Sequence, residues 1–106
     1  MRKIEKELRE AIQNQRTFSK QNTVFTHDPN FDLWILYLHG NAIAQFKPGN
    51  TVPDSISLAG WPTTTTKSRL NALDGVVIHT KDFTPYLNGK EILEYGWYKL
   101  NGERME

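Results

Sequence analysis

The first segment of the chain places apolar residues at helical spacing among charged ones. The apolar positions recur three to four residues apart and form one stripe: Ile4, Leu8, Ala11 and Ile12. Glu5 precedes Arg9 by four residues, which is the favourable order for an ion pair on a helix surface. We predict a helix over residues 1–14 that packs on the outside of a sheet. Docking of the same stripe onto a partner is the alternative.

The pattern then changes to one typical of β-strands. Residues 23–28 are rich in β-branched and aromatic side chains. Residues 33–38 and 42–46 flank a short turn, at which Gly40 and Asn41 can take positive φ. Both faces of residues 33–38 are apolar, which predicts a central strand that is covered on both sides.

Further short strands follow on either side of a polar segment, at residues 56–58, 76–80 and 96–102. The Asn88-Gly89 pair between apolar flanks predicts a second hairpin, and the last four residues are expected to fray. The whole chain, residues 1–106, is therefore predicted to be one α+β domain. It has an N-terminal helix, an antiparallel sheet of about five or six short strands within residues 23–102, and one short helix between strands.

Four consecutive threonines, residues 63–66, precede that short helix, which we predict over residues 64–74. The first amide groups of a helix lack partners, and a threonine oxygen can accept from them. Thr64 or Thr65 is therefore the predicted N-cap. Gly75 is suited to the left-handed conformation in which many helices end.

The start of this helix combines groups that bind anions. Threonine hydroxyls, free amides, a lysine and an arginine together resemble a phosphate site. The candidate binding residues are Thr65, Thr66, Lys67, Arg69 and Asn71, with His39 and Asn41 at the hairpin as a second choice. The alternative is structural: the threonines cap the helix, the lysine is solvated, and the arginine braces a loop or a carboxylate. The chain has no glycine-rich loop of the type that binds nucleotides for hydrolysis.

Composition excludes several classes of function. Thirteen basic and twelve acidic residues give a net charge of +1, which argues against a dedicated nucleic-acid binder. The absence of cysteine excludes disulfides, thiolate zinc sites and thiol catalysis, and agrees with a reducing compartment. The N-terminus is too charged for a signal peptide, and no apolar run is long enough for a membrane helix. We expect a cytoplasmic protein.

No arrangement typical of catalysis is found. His27 with Asp28, Asp32 or Asp82 would form a metal site only if the fold brought these side chains together, and their spacing does not require it. The serines lack the turn motif of hydrolases. We therefore expect no cofactor, no metal and no enzymatic activity.

Four segments carry a resemblance to known proteins: "NTV" at residues 22–24, "LHGNAIA" at 38–44, "GWPTTTTKSRLN" at 60–71 and "GWY" at 96–98. They resemble small phage and prophage proteins of unknown function, most specifically in the pattern Gly-Trp-x-Thr-x-Thr-Thr-x-x-Arg-x-Asn. The resemblance implies a viral accessory protein that acts in a bacterial cytoplasm, and it supplies no catalytic residue.

Binding is therefore the expected activity, with two classes of partner. A host or phage protein is favoured, and self-association is included, because Trp, Tyr and Arg are common interface anchors. The alternative is salt-sensitive nucleic-acid binding through Lys67, Arg69 and exposed aromatic rings. The aromatic candidates are Trp34, Tyr37, Trp61 and Tyr98, which the alternative interpretation places in the core or, for Trp61, at its edge.

Overall fold

The computed structural model describes residues 1–105 of the 106-residue chain, in two helices and ten strands. The helices are α1 (Lys3–Gln13) and α2 (Thr64–Asn71). The strands are β1 (Phe18–Lys20), β2 (Thr23–Asp28), β3 (Leu33–Leu38), β4 (Asn41–Phe46), β5 (Ser55–Ile56), β6 (Ile78–Lys81), β7 (Thr84–Leu87), β8 (Lys90–Glu91), β9 (Trp97–Tyr98) and β10 (Arg104–Met105). The α+β class is confirmed. The strand number was underestimated because a strand of two or three residues shows no alternation that a pattern can reveal.

Seven of these strands form one antiparallel sheet in the order β1-β2-β3-β4-β5-β9-β10. A row of directly paired, buried residues crosses its middle: Phe25, Leu36, Ala44, Ile56 and Tyr98. The apolar stripe of α1 is buried in the same core, and α1 lies against β1 and β2. The helix therefore packs on its own sheet, as predicted, and β3 is a central strand.

The hairpin of β3 and β4 is confirmed, but its turn differs from the prediction. His39 and Gly40 take the positive φ values, 51° and 79°, and Asn41 already belongs to β4. Leu36 pairs with Ala44 while the next residue of β3 pairs with Ala42, so one residue of β4 is left over as a bulge. That residue is Ile43, and the bulge buries its side chain beside that of Ala44.

The two helices are joined by charged groups in a way that the helical spacing did not indicate. Arg9 forms an ion pair with Asp74 at 2.7 Å and donates to the Ala72 carbonyl at 2.8 Å. Glu5 pairs with Arg69 at 2.9 Å. These contacts replace the Glu5–Arg9 pair expected within α1, because Arg69 of α2 meets Glu5 and Asp74, in the segment that follows α2, meets Arg9 in the folded chain.

Strands β6, β7 and β8 form a second antiparallel sheet, and the predicted Asn88-Gly89 hairpin joins β7 to β8. The expected fraying of the C-terminal residues is wrong for Arg104 and Met105, which pair with β9 as the edge strand β10. Glu106 lies outside the described residues. No helix within residues 1–105 has the length and apolarity needed to cross a membrane.

Candidate functional site

The seven candidate binding residues separate into three places around α2. A pocket at the start of α2 brings together Thr65, Thr66, His39 and Asn41, so the first and second choices meet there. A separate groove, which faces β6 and the beginning of α1, contains Lys67 and Asn71. Arg69 is buried between the helices and the large sheet.

Arg69 is held by internal partners. Its side chain is only 4% exposed, its Nη1 lies 2.9 Å from Glu5 Oε2, and its Nε donates to Thr23 Oγ1 at 3.0 Å. Glu5 also accepts from the Ser68 hydroxyl at 2.6 Å and from the Arg2 amide at 3.3 Å. Burial by itself raises the pKa of Glu5, but these hydrogen bonds and the arginine charge outweigh it and hold the pKa below its usual value. Arg69 thus braces a carboxylate, as the structural alternative describes.

Asn71 and Lys67 join α2 to the outer edge of β6. The Asn71 amide accepts from the Ile78 N–H at 2.6 Å and donates to the Ile78 carbonyl at 2.9 Å. Lys67 donates to the Thr80 hydroxyl. An asparagine that bonds both backbone groups of one residue acts like a neighbouring strand, and it covers part of an edge that would otherwise invite pairing. These two polar side chains therefore have a structural use.

The pocket at the start of α2 has a volume of about 450 Å³ and an apolar floor. Buried Leu38, Ile43 and Leu58 form that floor. Ile43 reaches it because of the bulge in β4, where the Ile43 carbonyl accepts from the Ser57 amide at 2.9 Å. We call this cavity the Trp61 pocket. Its rim and wall residues are His39, Asn41, Ala59, Trp61, Thr63, Thr65 and Thr66.

A tight turn carries Trp61 to the rim of the pocket. Ala59 and Gly60 have φ values of 54° and 75°, and the Trp61 amide donates to the Leu58 carbonyl at 2.9 Å. An L-residue such as Ala59 in this left-handed region costs on the order of 1–2 kcal/mol. The turn leaves Trp61 64% exposed, so this ring is not the core or edge aromatic that the sequence predicted. The Trp61-Pro62 peptide bond is trans.

Tyr95 lies beside the same turn. The Gly60 amide donates to the Glu94 carbonyl at 2.8 Å, and a Cβ built on Gly60 would approach Tyr95 Cε1 to 2.5 Å. Only glycine leaves room for the tyrosine ring against this backbone. Tyr95 itself is 67% exposed, so a second exposed aromatic side chain lies beside the residue that precedes Trp61.

Helix α2 starts at Thr64, as predicted, but it ends at Asn71 instead of residue 74, and its N-cap lies one residue before the predicted ones. Thr63 is the N-cap, and its Oγ1 accepts from the Thr66 amide at 3.1 Å. The hydroxyls of Thr63 and Thr66 are also hydrogen-bonded to each other at 3.0 Å. Thr65, which was one of the two predicted caps, lies in the first turn and faces the pocket instead. Gly75 has a φ of 80°, in agreement with its predicted left-handed conformation.

The Trp61 pocket carries little charge. Within residues 1–105, no lysine, arginine, aspartate or glutamate lines it, and His39 is its one titratable side chain. Its polar groups are the His39 ring, the Asn41 amide and threonine hydroxyls, which can donate and accept hydrogen bonds. The pocket therefore suits an uncharged ligand group.

His27 meets one of the three carboxylates considered with it. Its Nε2 lies 2.8 Å from Asp32 Oδ1. Among the residues that the structure describes, no group of three or more histidine, aspartate or glutamate side chains is arranged to hold a metal ion.

A model of the Kyanoviridae Gp96 protein family, a family of phage proteins, matches residues 1–105. The chain belongs to this family. The expectation of a phage-encoded protein is thereby confirmed. Searches of curated proteins and of solved structures found no match to the chain.

For this Gp96 family member, sequence reasoning missed the features that complete the pocket. Nothing in the sequence signals the bulge at Ile43, because the register between β3 and β4 sets it. The left-handed conformation of Ala59 was missed because residues other than glycine, asparagine and aspartate seldom adopt it. Tyr95 was not singled out. The other proposed stacking rings are less available than expected, since Tyr98 is buried and Trp34 and Tyr37 are half-buried.

Proposed function

We propose that this phage protein is a non-enzymatic accessory protein that binds a host or phage protein in the bacterial cytoplasm through the Trp61 pocket. The observation that carries the proposal is the pocket itself. Its floor is buried and apolar, no lysine, arginine, aspartate or glutamate within residues 1–105 lines it, and exposed Trp61 stands on its rim. Tyr95, which is also exposed, lies beside Gly60, the residue before Trp61. Such a combination is typical of the anchoring centre of a protein interface.

The exposed aromatic surface is large enough to drive association. Burying the exposed parts of Trp61 and Tyr95 removes on the order of 250 Å² from water, which is worth about 5–6 kcal/mol before the costs of association. Tryptophan and tyrosine lose little conformational freedom when they are bound, because each has only two side-chain torsions. The two rings are therefore expected to dominate the affinity.

The pocket also indicates the chemistry of the partner. An apolar or aromatic side chain fits the floor formed by Leu38, Ile43 and Leu58 without desolvating a charge. His39, Asn41 and the threonine hydroxyls can bond to the main chain on either side of that anchor. We therefore propose a protein segment with an uncharged anchor residue as the ligand.

Nucleic acid is the second candidate, because Trp61 and Tyr95 are exposed and bases stack on such rings. The positions of the charged side chains argue against nucleic acid as the ligand. Arg69 is engaged with Glu5, Lys67 faces β6 instead of the pocket, and the net charge is only +1. Phosphate contacts supply most of the affinity for nucleic acid, so a pocket without cations is expected to bind it weakly.

The test compares Trp61→Ala with Phe31→Ala. Phe31 is also an exposed aromatic, at 76%, but it lies in the β2–β3 turn, at the other end of β3 from the β3–β4 turn at the pocket. Proteins captured by the wild type from infected host cells are purified, and their affinities for the three forms are measured by calorimetry. We expect Trp61→Ala to weaken binding about 30-fold or more, as an interface anchor does, and Phe31→Ala to leave it within about twofold.

A partner that binds Trp61→Ala as tightly as the wild type would contradict the proposal. Fluorescence anisotropy with single- and double-stranded DNA at low salt tests the second candidate. Micromolar binding that falls steeply with salt and disappears in Trp61→Ala would favour nucleic acid as the ligand.

A further inference from the structure

The turn between β6 and β7 presents a phenylalanine that the fold does not use. Asp82 and Phe83 occupy its two central positions with φ values of 50° and 65°. Turns of this type favour glycine, asparagine and aspartate, and a bulky residue there is a genuine outlier. Phe83 is nevertheless 98% exposed, so its ring makes almost no contact with its own domain. The domain gains nothing from this aromatic side chain.

This turn lies at the same end of the molecule as the Trp61 pocket. Asn71, at the end of α2, bonds to Ile78 at the start of β6, and Lys67, one turn earlier in α2, bonds to Thr80 further along β6. Helix α2 and strand β6 therefore run in opposite directions. The end of β6 therefore lies level with the first turn of α2, and the pocket opens at the same turn, where Thr65 and Thr66 line it. Phe83 projects from that end.

We infer that Phe83 of one copy inserts into the Trp61 pocket of a second copy, and that the exchange is reciprocal in a two-fold symmetric dimer. This inference rests on the proposed use of the pocket as a docking site. A cavity of about 150 Å³ is enough to hold a benzene ring, and this pocket offers about 450 Å³. The Phe83 ring carries no charge, and no lysine, arginine, aspartate or glutamate within residues 1–105 lines the pocket. The location of ring and pocket at one end of the molecule allows each copy to give and receive a ring.

The area involved predicts a weak dimer. Two phenylalanine side chains and the walls that receive them bury on the order of 800 Å², which is less than the roughly 1,200 Å² of a stable interface. We expect a dissociation constant on the order of tens to hundreds of micromolar. Such a dimer covers the pocket when the protein is concentrated, and a partner that binds more tightly displaces the second copy.

Sedimentation velocity over a range from about 10 µM to about 1 mM tests the inference, because a reversible dimer follows mass action. Phe83→Asn removes the ring and places at the turn a residue that tolerates positive φ, so the fold is retained. Thr65→Phe fills the pocket. We expect the wild type and Phe31→Ala to dimerise, and either of the other two variants alone to stay monomeric.

A mixture of Phe83→Asn and Thr65→Phe tests whether the exchange is reciprocal. The first variant keeps the pocket and the second keeps the ring, so a mixed dimer regains only one of the two contacts and is expected to associate far more weakly than the wild type over this range. A mixture that dimerises as strongly as the wild type would contradict the two-contact dimer. A wild type that is monomeric throughout, or a Phe83→Asn variant that dimerises like the wild type, would overturn the inference. The proposed function is judged separately, by the effect of Trp61→Ala on a protein partner.

Discussion

The burial of Arg69 allows a test of whether this residue serves the fold or a ligand. In Arg69→Met the Glu5 carboxylate stays buried with only the Ser68 hydroxyl and the Arg2 amide as partners. Breaking a buried ion pair by removing one partner costs about 3–5 kcal/mol. A domain of this size has a total stability on the order of 5–15 kcal/mol. We therefore expect Arg69→Met to lose a large share of its free energy of unfolding.

Urea unfolding followed by circular dichroism measures this loss. Lys67→Met is the matched control, since Lys67 belongs to the same helix and its side chain bonds to Thr80 at the surface. It should change the free energy of unfolding by no more than about 0.5 kcal/mol. Adding Glu5→Leu to Arg69→Met removes the unpaired carboxylate, so the double variant should regain much of the lost stability.

The pH dependence of unfolding adds an independent readout. The folded pKa of Glu5 is depressed, so its contribution to stability is present above the unfolded pKa and is lost as the pH falls through the folded value. In Arg69→Met burial still raises this pKa while the arginine no longer lowers it. The stability difference from the wild type should therefore shrink as the pH is lowered. Unchanged stability of Arg69→Met together with lost partner binding would refute the structural role.

Three further substitutions test local features. Thr63→Ala should lower the free energy of unfolding, measured in urea, by about 0.5–2 kcal/mol, while Thr64→Ala should match the wild type. Equal losses in the two variants would contradict Thr63 as the N-cap. Asn71→Ala should lower the free energy of unfolding by about 1–3 kcal/mol and speed hydrogen exchange of the Ile78 amide. Unchanged exchange would show that Asn71 does not cover the edge of β6. Ala59→Gly should raise the free energy of unfolding, measured by thermal melting, by up to about 1 kcal/mol, because glycine relieves the left-handed strain. A lower free energy of unfolding would contradict the assigned strain.

Much of the fold was predictable because its signals are local. The apolar stripe of α1, the β-rich runs of β2 and β3 and the Asn88-Gly89 turn depend on spacing and on residue type within a few positions. The short strands at the edges of the large sheet were not predictable, since β1 and β10 exist through pairing with β2 and β9. The N-cap of α2 was predicted only approximately, because four adjacent threonines are nearly equivalent as caps; in the structure it is Thr63 whose side chain accepts from the Thr66 amide.

The candidate site was predictable in part. The threonine run and the β3–β4 hairpin were both recognised, and the structure joins them at one pocket through Thr65, His39 and Asn41. The assignment of Arg69 to a ligand or to the fold depends on Glu5, which is 64 residues away in the chain. No pattern along the sequence reveals such a contact.

The sequence by itself determined the class of fold, the positions of the main strands, the absence of thiol chemistry and the near-neutral charge, because these follow from composition and local periodicity. Tertiary structure alone decided which polar residues line a pocket and which hold the domain together. The physical reason is desolvation: Arg69 and Glu5 are stable in the core only as a pair, so Arg69 is turned inward, while Thr65, His39 and Trp61 line the pocket. The segment that looked like an anion site is thus a structural helix on one side and the wall of an apolar pocket on the other.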